Sequence, residues 1–397
     1  MPYHITISGA GIVGLSTAYQ LLQQKPDLEI AIIEKEADVA QHQTGRNSGV
    51  IHSGIYYKPG SLRAENCIRG YRYLLDFCYK HEVDYEICGK VIVATEKSEV
   101  PVLDEILKKG KANGLEGIQK IDRAEILEKE PHCAGIVGIW VPQAGIADYK
   151  GMAQKLKSLL QEAGVAFYFG EKVLSVEKQS GAKVLTDKQK LESDLFINCS
   201  GLYSDKVAKS SGADVPVQIL PFRGEYFKIK KERQHLVNNL IYPVPDPDFP
   251  FLGVHFTRMI EGGIEAGPSA VLAFQREGYH RSDVDAKELM EILKYPGFQK
   301  LAFKYWKKGL GELYRSYSKA AFTRKLQKLI PDIRQEDLEP VPAGVRAMAC
   351  SPNGELLDDY LFLEDEFVLN VCNAPSPAAT SGLAIGESVA VKALKSF

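Results

Sequence analysis

At 397 residues, with 45% hydrophobic and 25% charged residues, the chain has an ordinary globular composition and is long enough for two cores, or one large core with an inserted lobe. A formal net charge of -2 argues against nucleic acid as the main partner, and no uninterrupted apolar run reaches the roughly 20 residues needed to cross a bilayer. The 7 cysteines lie apart without C-x-x-C pairs, the pattern of reduced buried thiols rather than a zinc or iron–sulfur site, so no metal is expected.

Tyr3 to Ser8 suits a buried parallel strand, and Gly9, Gly11 and Gly14 follow it as G-x-G-x-x-G into a helix, Ile12 to Gln24. The first glycine permits a tight turn, the second lets the backbone approach a pyrophosphate, and the third lets helix and strand pack closely. The free N–H groups of the helix start favour phosphate. A second strand, Leu28 to Ile33, ends on Glu34, whose carboxylate can accept from ribose hydroxyls and disfavours a 2′-phosphate, so NADP is not expected. Strand, glycines, helix, strand and acid in that order form a far stronger signal than the glycines alone. With the first strand starting so early there is no room for a cleavable leader, and a cytoplasmic protein is expected.

The run His42 to Tyr57, HQTGRNSGVIHSGIYY, comes next and points to a flavin as the nucleotide. Ser61 to His81 reads as a helix, and Tyr85 to Thr95 as a strand leading into a helical Lys97 to Asn113. Tyr149 to Ala163 places Met152, Leu156, Leu159 and Leu160 on one helical face. Short strands follow at 165–169, 172–178, 182–186 and 190–198, the last ending in Ser200 and Gly201 much as the first strand ends in its glycine turn. Pro216 to Ala273 carries antiparallel strand signals, Asp285 to Ile330 is helical, and Val341 to Phe397 closes with a helix, Pro377 to Leu394, whose first turn faces a ligand.

Beyond the unspecific GAGIVGLSTAYQL, the chain contains IIEKE, HQTGRNSGVIHSGIYYKPGSL, CGK, PFRGEYF, LIYPVPDP, FLGVHFTRMIEG, AVLAFQREGY, PAGVRA and CNAPSPAATSGLAIG. Together these resemble the D-amino-acid oxidase-like FAD-dependent oxidoreductases over nearly the whole length, and within them the subfamily acting on L-2-hydroxyglutarate. The resemblance implies an α/β fold: a Rossmann-type FAD-binding domain built from residues 1–85, 146–213 and 335–397, with an inserted, mostly antiparallel β-sheet substrate domain from 86–145 and 214–334. It also implies oxidation of a dicarboxylate, L-2-hydroxyglutarate, to 2-oxoglutarate, with hydride passing from C2 to flavin N5 and electrons onward to a quinone or oxygen. A flavin enzyme acting on an amino acid or glycerol 3-phosphate is the near alternative, and a non-catalytic nucleotide sensor the distant one.

Oxidising an alcohol beside a carboxylate requires a proton acceptor and an anchor for the carboxylate. His52 and His255 are the candidate bases, since a neutral imidazole accepts a proton near physiological pH. Arg346 in PAGVRA is the candidate catalytic carboxylate anchor, because a guanidinium grips a planar carboxylate with two hydrogen bonds. Arg223 and Arg258 are candidates for the second carboxylate, each with a nearby acid, Glu225 or Glu261, as an alternative partner; Tyr242 and Tyr56 are candidate hydroxyl donors. For FAD the expected contacts are Gly9, Gly11 and Gly14 at the pyrophosphate, Glu34 at the ribose, and Thr44, Gly45, Asn47, Ser48 and Gly49 towards the flavin. Val173 is expected near adenine, Ser200 and Gly201 near the pyrophosphate, and Ser376, Ala378, Ala379 and Thr380 at the flavin end.

Between Lys294 and Lys328 the chain has 10 Lys or Arg and one acid, Glu312, interleaved with seven aromatics from Phe298 to Phe322. Such a segment suits peripheral attachment to the anionic inner face of the cell membrane, where a quinone or another electron-transfer partner is within reach; a solvated helical face is the ordinary alternative.

Overall fold

The computed structural model describes residues 2–396, which are arranged around two large sheets. The first is eight-stranded. At its centre Tyr3–Ser8 lies parallel to both Ile30–Glu34 and Lys190–Asn198, and Ala166–Phe169 and Val368–Asn373 continue it on either side in parallel. These strands read as continuous apolar runs because helices cover them: Ile5, Ile7, Ile30 and Ile32 are buried with Leu15 and Leu21 of Ile12–Gln24, Leu156 of Tyr149–Glu162 and Ile385 of Gly382–Ala393. Each such aliphatic side chain contributes about 2 kcal/mol when fully buried. The glycine turn after Tyr3–Ser8 is thereby held at the carboxyl edge of a parallel sheet, where open α/β folds bind ligands.

The second sheet is nine-stranded and almost wholly antiparallel; the exception is Lys90–Ala94, which runs parallel to Leu240–Pro243. Its longest pairing joins Gln218–Ile229 to Leu338–Cys350, from Gln218 opposite Cys350 to Ile229 opposite Leu338. The expected return to the nucleotide domain at residue 335 therefore falls one strand early. Leu338–Cys350 belongs to the antiparallel sheet, and the chain rejoins the first sheet with Leu361–Glu364 and Val368–Asn373. An apolar strand carries no local mark of its partner, so only the pairing decides which sheet it joins.

The expected single strand Tyr85 to Thr95 is two. Tyr85–Glu86 joins a small sheet with Val50–Ile51 and Gly145–Ala147, and Lys90–Ala94 begins after a turn at Gly89, whose φ of +80° disfavours any other residue. The helical Asp285 to Ile330 resolves into Ala286–Lys294, Pro296–Tyr317 and Lys319–Leu326, with Asp285 and Ser318 capping the first and third. The last helix starts at Gly382 rather than Pro377. Residues 377–381 form turns whose N–H groups are partly used internally, Ser381 N donating to the Pro377 carbonyl. No helix among the described residues is long and apolar enough to cross a membrane.

Candidate active site

A cleft of about 580 Å³ runs along the edge of the first sheet and is lined by Gly9, Gly11, Glu34, Thr44, Val173, Ser200, Gly201, Ala378 and Ala379. Gly14 acts from beneath: a Cβ there would lie 2.0 Å from the Gly9 carbonyl oxygen, so helix and turn could not meet. Glu34 accepts from Ala10 N at 2.7 Å and Glu36 N at 3.0 Å, which fixes its carboxylate and leaves lone pairs for ribose hydroxyls. The Thr44 hydroxyl accepts from Ile12 N at 2.9 Å, so it satisfies one helix-start donor from across the cleft. Asn47 braces its own turn, donating to the Gln43 and Thr44 carbonyls and accepting from Gly49 N. With Gly45 it also lines a smaller cavity of about 280 Å³ bounded by Tyr226. Ser48, Gly49, Ser376 and Thr380 line neither cavity; the Ser376 carbonyl accepts from Arg63 Nε at 2.7 Å. Sequence reasoning passed over the side chains at the cleft's rim, where the Lys35 ammonium bonds Glu36 and Glu277 and His42 meets Glu36 at 2.9 Å.

An elongated cleft with a glycine turn, a helix start and a braced acid fits the pyrophosphate and ribose of FAD. Beyond Ala379, the Thr380 hydroxyl accepts from His52 N at 3.1 Å and shares a 2.9 Å hydrogen bond with Tyr149. The cleft's far end therefore abuts a second group of residues, drawn from the nine-stranded sheet and from the segment that follows Val50–Ile51.

In that group Tyr242, from Leu240–Pro243, stacks on His255, from His255–Arg258, with ring centroids 4.0 Å apart. His255 Nδ1 lies 2.9 Å from the Gly253 carbonyl; a carbonyl only accepts, so Nδ1 carries the hydrogen and Nε2 is left with a lone pair. Burial, together with Lys90, His255 and Arg63, pushes the His52 imidazole down to about 3. Burial also drives His255 down to about 3, with Arg346 and Lys90 adding to the shift against the Gly253 carbonyl. Both rings are consequently neutral across the physiological range. Arg346 reaches this group from Leu338–Cys350, its charge bearing on His255 and on the Tyr226 hydroxyl. The Tyr56 hydroxyl is buried with no hydrogen-bond partner among the described residues.

The two remaining arginines are already engaged. Arg223 is buried against Glu225 at 3.3 Å and donates to the His280 carbonyl, while Arg281 grips the same Glu225. Arg258 pairs with Glu86 rather than the expected Glu261. Lys90 was not singled out from the sequence, although a lysine opening the apolar strand KVIVA was the available signal; it is fully buried, and burial lowers it to about 8.

A dinucleotide cleft that ends against neutral imidazoles and buried cations defines a nucleotide-dependent redox enzyme. The chain belongs to the FAD dependent oxidoreductase family, whose model matches residues 4–391, and its cofactor is FAD. It is 55% identical, over 100% of both chains, to the L-2-hydroxyglutarate dehydrogenase of Indibacter alkaliphilus. It is 42% identical to the enzyme of the same name from Escherichia coli K12, covering 98% of this chain and 93% of that one. Among solved structures, L-alpha-glycerophosphate oxidase from Mycoplasma pneumoniae with FAD bound matches with a TM-score of 0.81 at 22% identity, over 100% of this chain and 95% of that one. Glycine oxidase from Geobacillus kaustophilus matches with a TM-score of 0.74 at 17% identity, over 99% and 95%; at these identities the likeness is one of fold.

Proposed function

We propose that the protein oxidises L-2-hydroxyglutarate to 2-oxoglutarate. The observation that carries this reading is the neutral His52 and His255 pair set beside the Arg346 and Lys90 cations, a combination suited to an anionic hydroxy acid. The names of relatives aligned over essentially the full chain support the particular substrate. Bound FAD supplies the acceptor for the hydride that leaves C2. The chain's own residues do the rest: Arg346 holds the C1 carboxylate, the Tyr56 hydroxyl donates to substrate oxygen, Tyr242 keeps His255 in place, and the histidine pair accepts the hydroxyl proton. Burial first, and then the neighbouring cations, make each imidazole a weak base. A bound dianion offsets those cations and raises the imidazole pKa when the proton must be taken. The second carboxylate is not assigned to Arg223 or Arg258, because each already holds a glutamate.

Anaerobic mixing of the FAD-loaded enzyme with L-2-hydroxyglutarate, its D enantiomer, glycine and glycerol 3-phosphate tests the reading. Rapid bleaching of the flavin band by the L enantiomer alone is expected. Bleaching by glycine or glycerol 3-phosphate instead would reassign the substrate, and bleaching by none would favour a nucleotide sensor.

Peripheral membrane attachment, which would put a membrane quinone within reach as acceptor, is supported by one further observation. On Pro296–Tyr317, Phe303, Trp306, Leu310, Tyr314 and Tyr317 are all exposed within the basic segment. Sedimentation with anionic but not neutral vesicles at low salt is expected, and equal sedimentation with both would refute it.

A further inference from the structure

Lys90 is fully buried, yet its ammonium has no hydrogen-bond partner and no ion pair among the described residues. Its Nζ lies 5.0 Å from the Tyr56 ring centroid and 4.8 Å from that of Tyr242. Two aromatic faces stabilise a cation weakly but accept none of its three N–H hydrogens. The titratable groups that interact with Lys90 are Cys67, His52 and His255, and among the described residues no carboxylate pairs with it. Buried charges in proteins are almost always paired, because stripping an ammonium of water costs several kcal/mol. Beside it the Tyr56 hydroxyl is another buried donor without a partner. Two unsatisfied buried donors thus stand on neighbouring side chains, and Lys90 is within electrostatic reach of both candidate bases.

We infer that Lys90, with the Tyr56 hydroxyl, receives the distal C5 carboxylate of the substrate, opposite the C1 carboxylate held by Arg346. The inference rests on the proposed dicarboxylate reading and deepens it. Lys90 becomes the residue that distinguishes a dicarboxylate from a 2-hydroxy monocarboxylate. The fold favours this division of labour. Arg346 stands on Leu338–Cys350 and Lys90 on Lys90–Ala94, and His255, on a strand between them in the same sheet, feels the charge of both, so the two cations flank the candidate base from opposite sides. The aromatic walls fit the same role: they exclude water from the ammonium, which strengthens its attraction for a carboxylate and leaves a neutral chain end with nothing to bond.

The test compares Lys90→Met with wild-type holoenzyme on L-2-hydroxyglutarate and L-2-hydroxybutyrate, which differ by the distal carboxylate. Wild type should strongly prefer the dicarboxylate. In Lys90→Met the preference, kcat/KM on the dicarboxylate over that on the monocarboxylate, should fall on the order of 100-fold, chiefly through KM for the dicarboxylate, with bound FAD retained. Equal losses on both substrates, or a retained dicarboxylate preference, would overturn the inference. Lys90→Gln, which keeps donors without the charge, should fall between; binding of glutarate, read from the flavin spectrum, should weaken in both variants while butyrate binding does not. A wild type inactive on both hydroxy acids would instead overturn the proposed substrate class, a separate result from selective loss in the variant.

Discussion

Replacing Lys90 by Met should make the protein more stable at neutral pH while impairing it as an enzyme. Methionine has nearly the length of lysine and no charge, and the site between Tyr56 and Tyr242 offers the ammonium no hydrogen bond. Burial lowers the lysine pKa from 10.5 to about 8, a difference corresponding to about 3 kcal/mol. Loss of the aromatic attraction returns about 1 kcal/mol, so the net gain is about 2 kcal/mol. With a urea slope on the order of 4 kcal/mol per molar for a chain of this size, the midpoint should rise by about 0.5 M. Because the folded pKa is depressed, the destabilisation is present in full below about 8 and fades as pH rises towards 10.5. Urea denaturation of wild type and variant, both in the same excess FAD, should show a gap that narrows between pH 8 and 10. A variant less stable than wild type at pH 7, or a gap that does not change over that range, would refute the picture of an uncompensated buried ammonium.

The histidine pair gives a second pH signature. Folded values of about 3 lie far below the ordinary 6.5, so the unfolded chain takes up protons first and stability is lost as pH falls from about 6.5 towards 3; His52→Asn and His255→Asn should each flatten that limb in acid denaturation. Asp205→Ala should cost about 4 kcal/mol, measured by urea midpoint, because it strands the buried Arg276 guanidinium that Asp205 otherwise grips with both carboxylate oxygens. Gly14→Ala should purify without FAD or fail to fold, since its Cβ would meet the Gly9 carbonyl at 2.0 Å; a normally yellow, fully loaded variant would contradict the close packing described.

The nucleotide half of this protein is legible from sequence because its determinants are local. Gly9, Gly11 and Gly14 act through spacing on one turn, and Glu34 sits at the end of the adjacent strand, so strand–turn–helix geometry alone brings Gly9, Gly11 and Glu34 to one cleft with Gly14 packed beneath it. His52, His255 and Arg346 were also legible as chemistry, as residue types able to accept a proton or hold a carboxylate. What spacing could not show was pairing. Glu225 beside Arg223 was already legible as an alternative partner, and the fold makes that pair, whereas only the folded chain sets the distant Glu86, in place of the neighbouring Glu261, against Arg258. Lys90 is the converse case: a lysine at the head of an apolar strand reads as a solvated end until Tyr56 and Tyr242 close over it and no acid arrives. The sequence by itself determined the cofactor cleft and the inventory of reactive groups. Tertiary structure alone decided which charges are neutralised and which are left buried and open to a ligand, because that depends on partners supplied from distant parts of the chain.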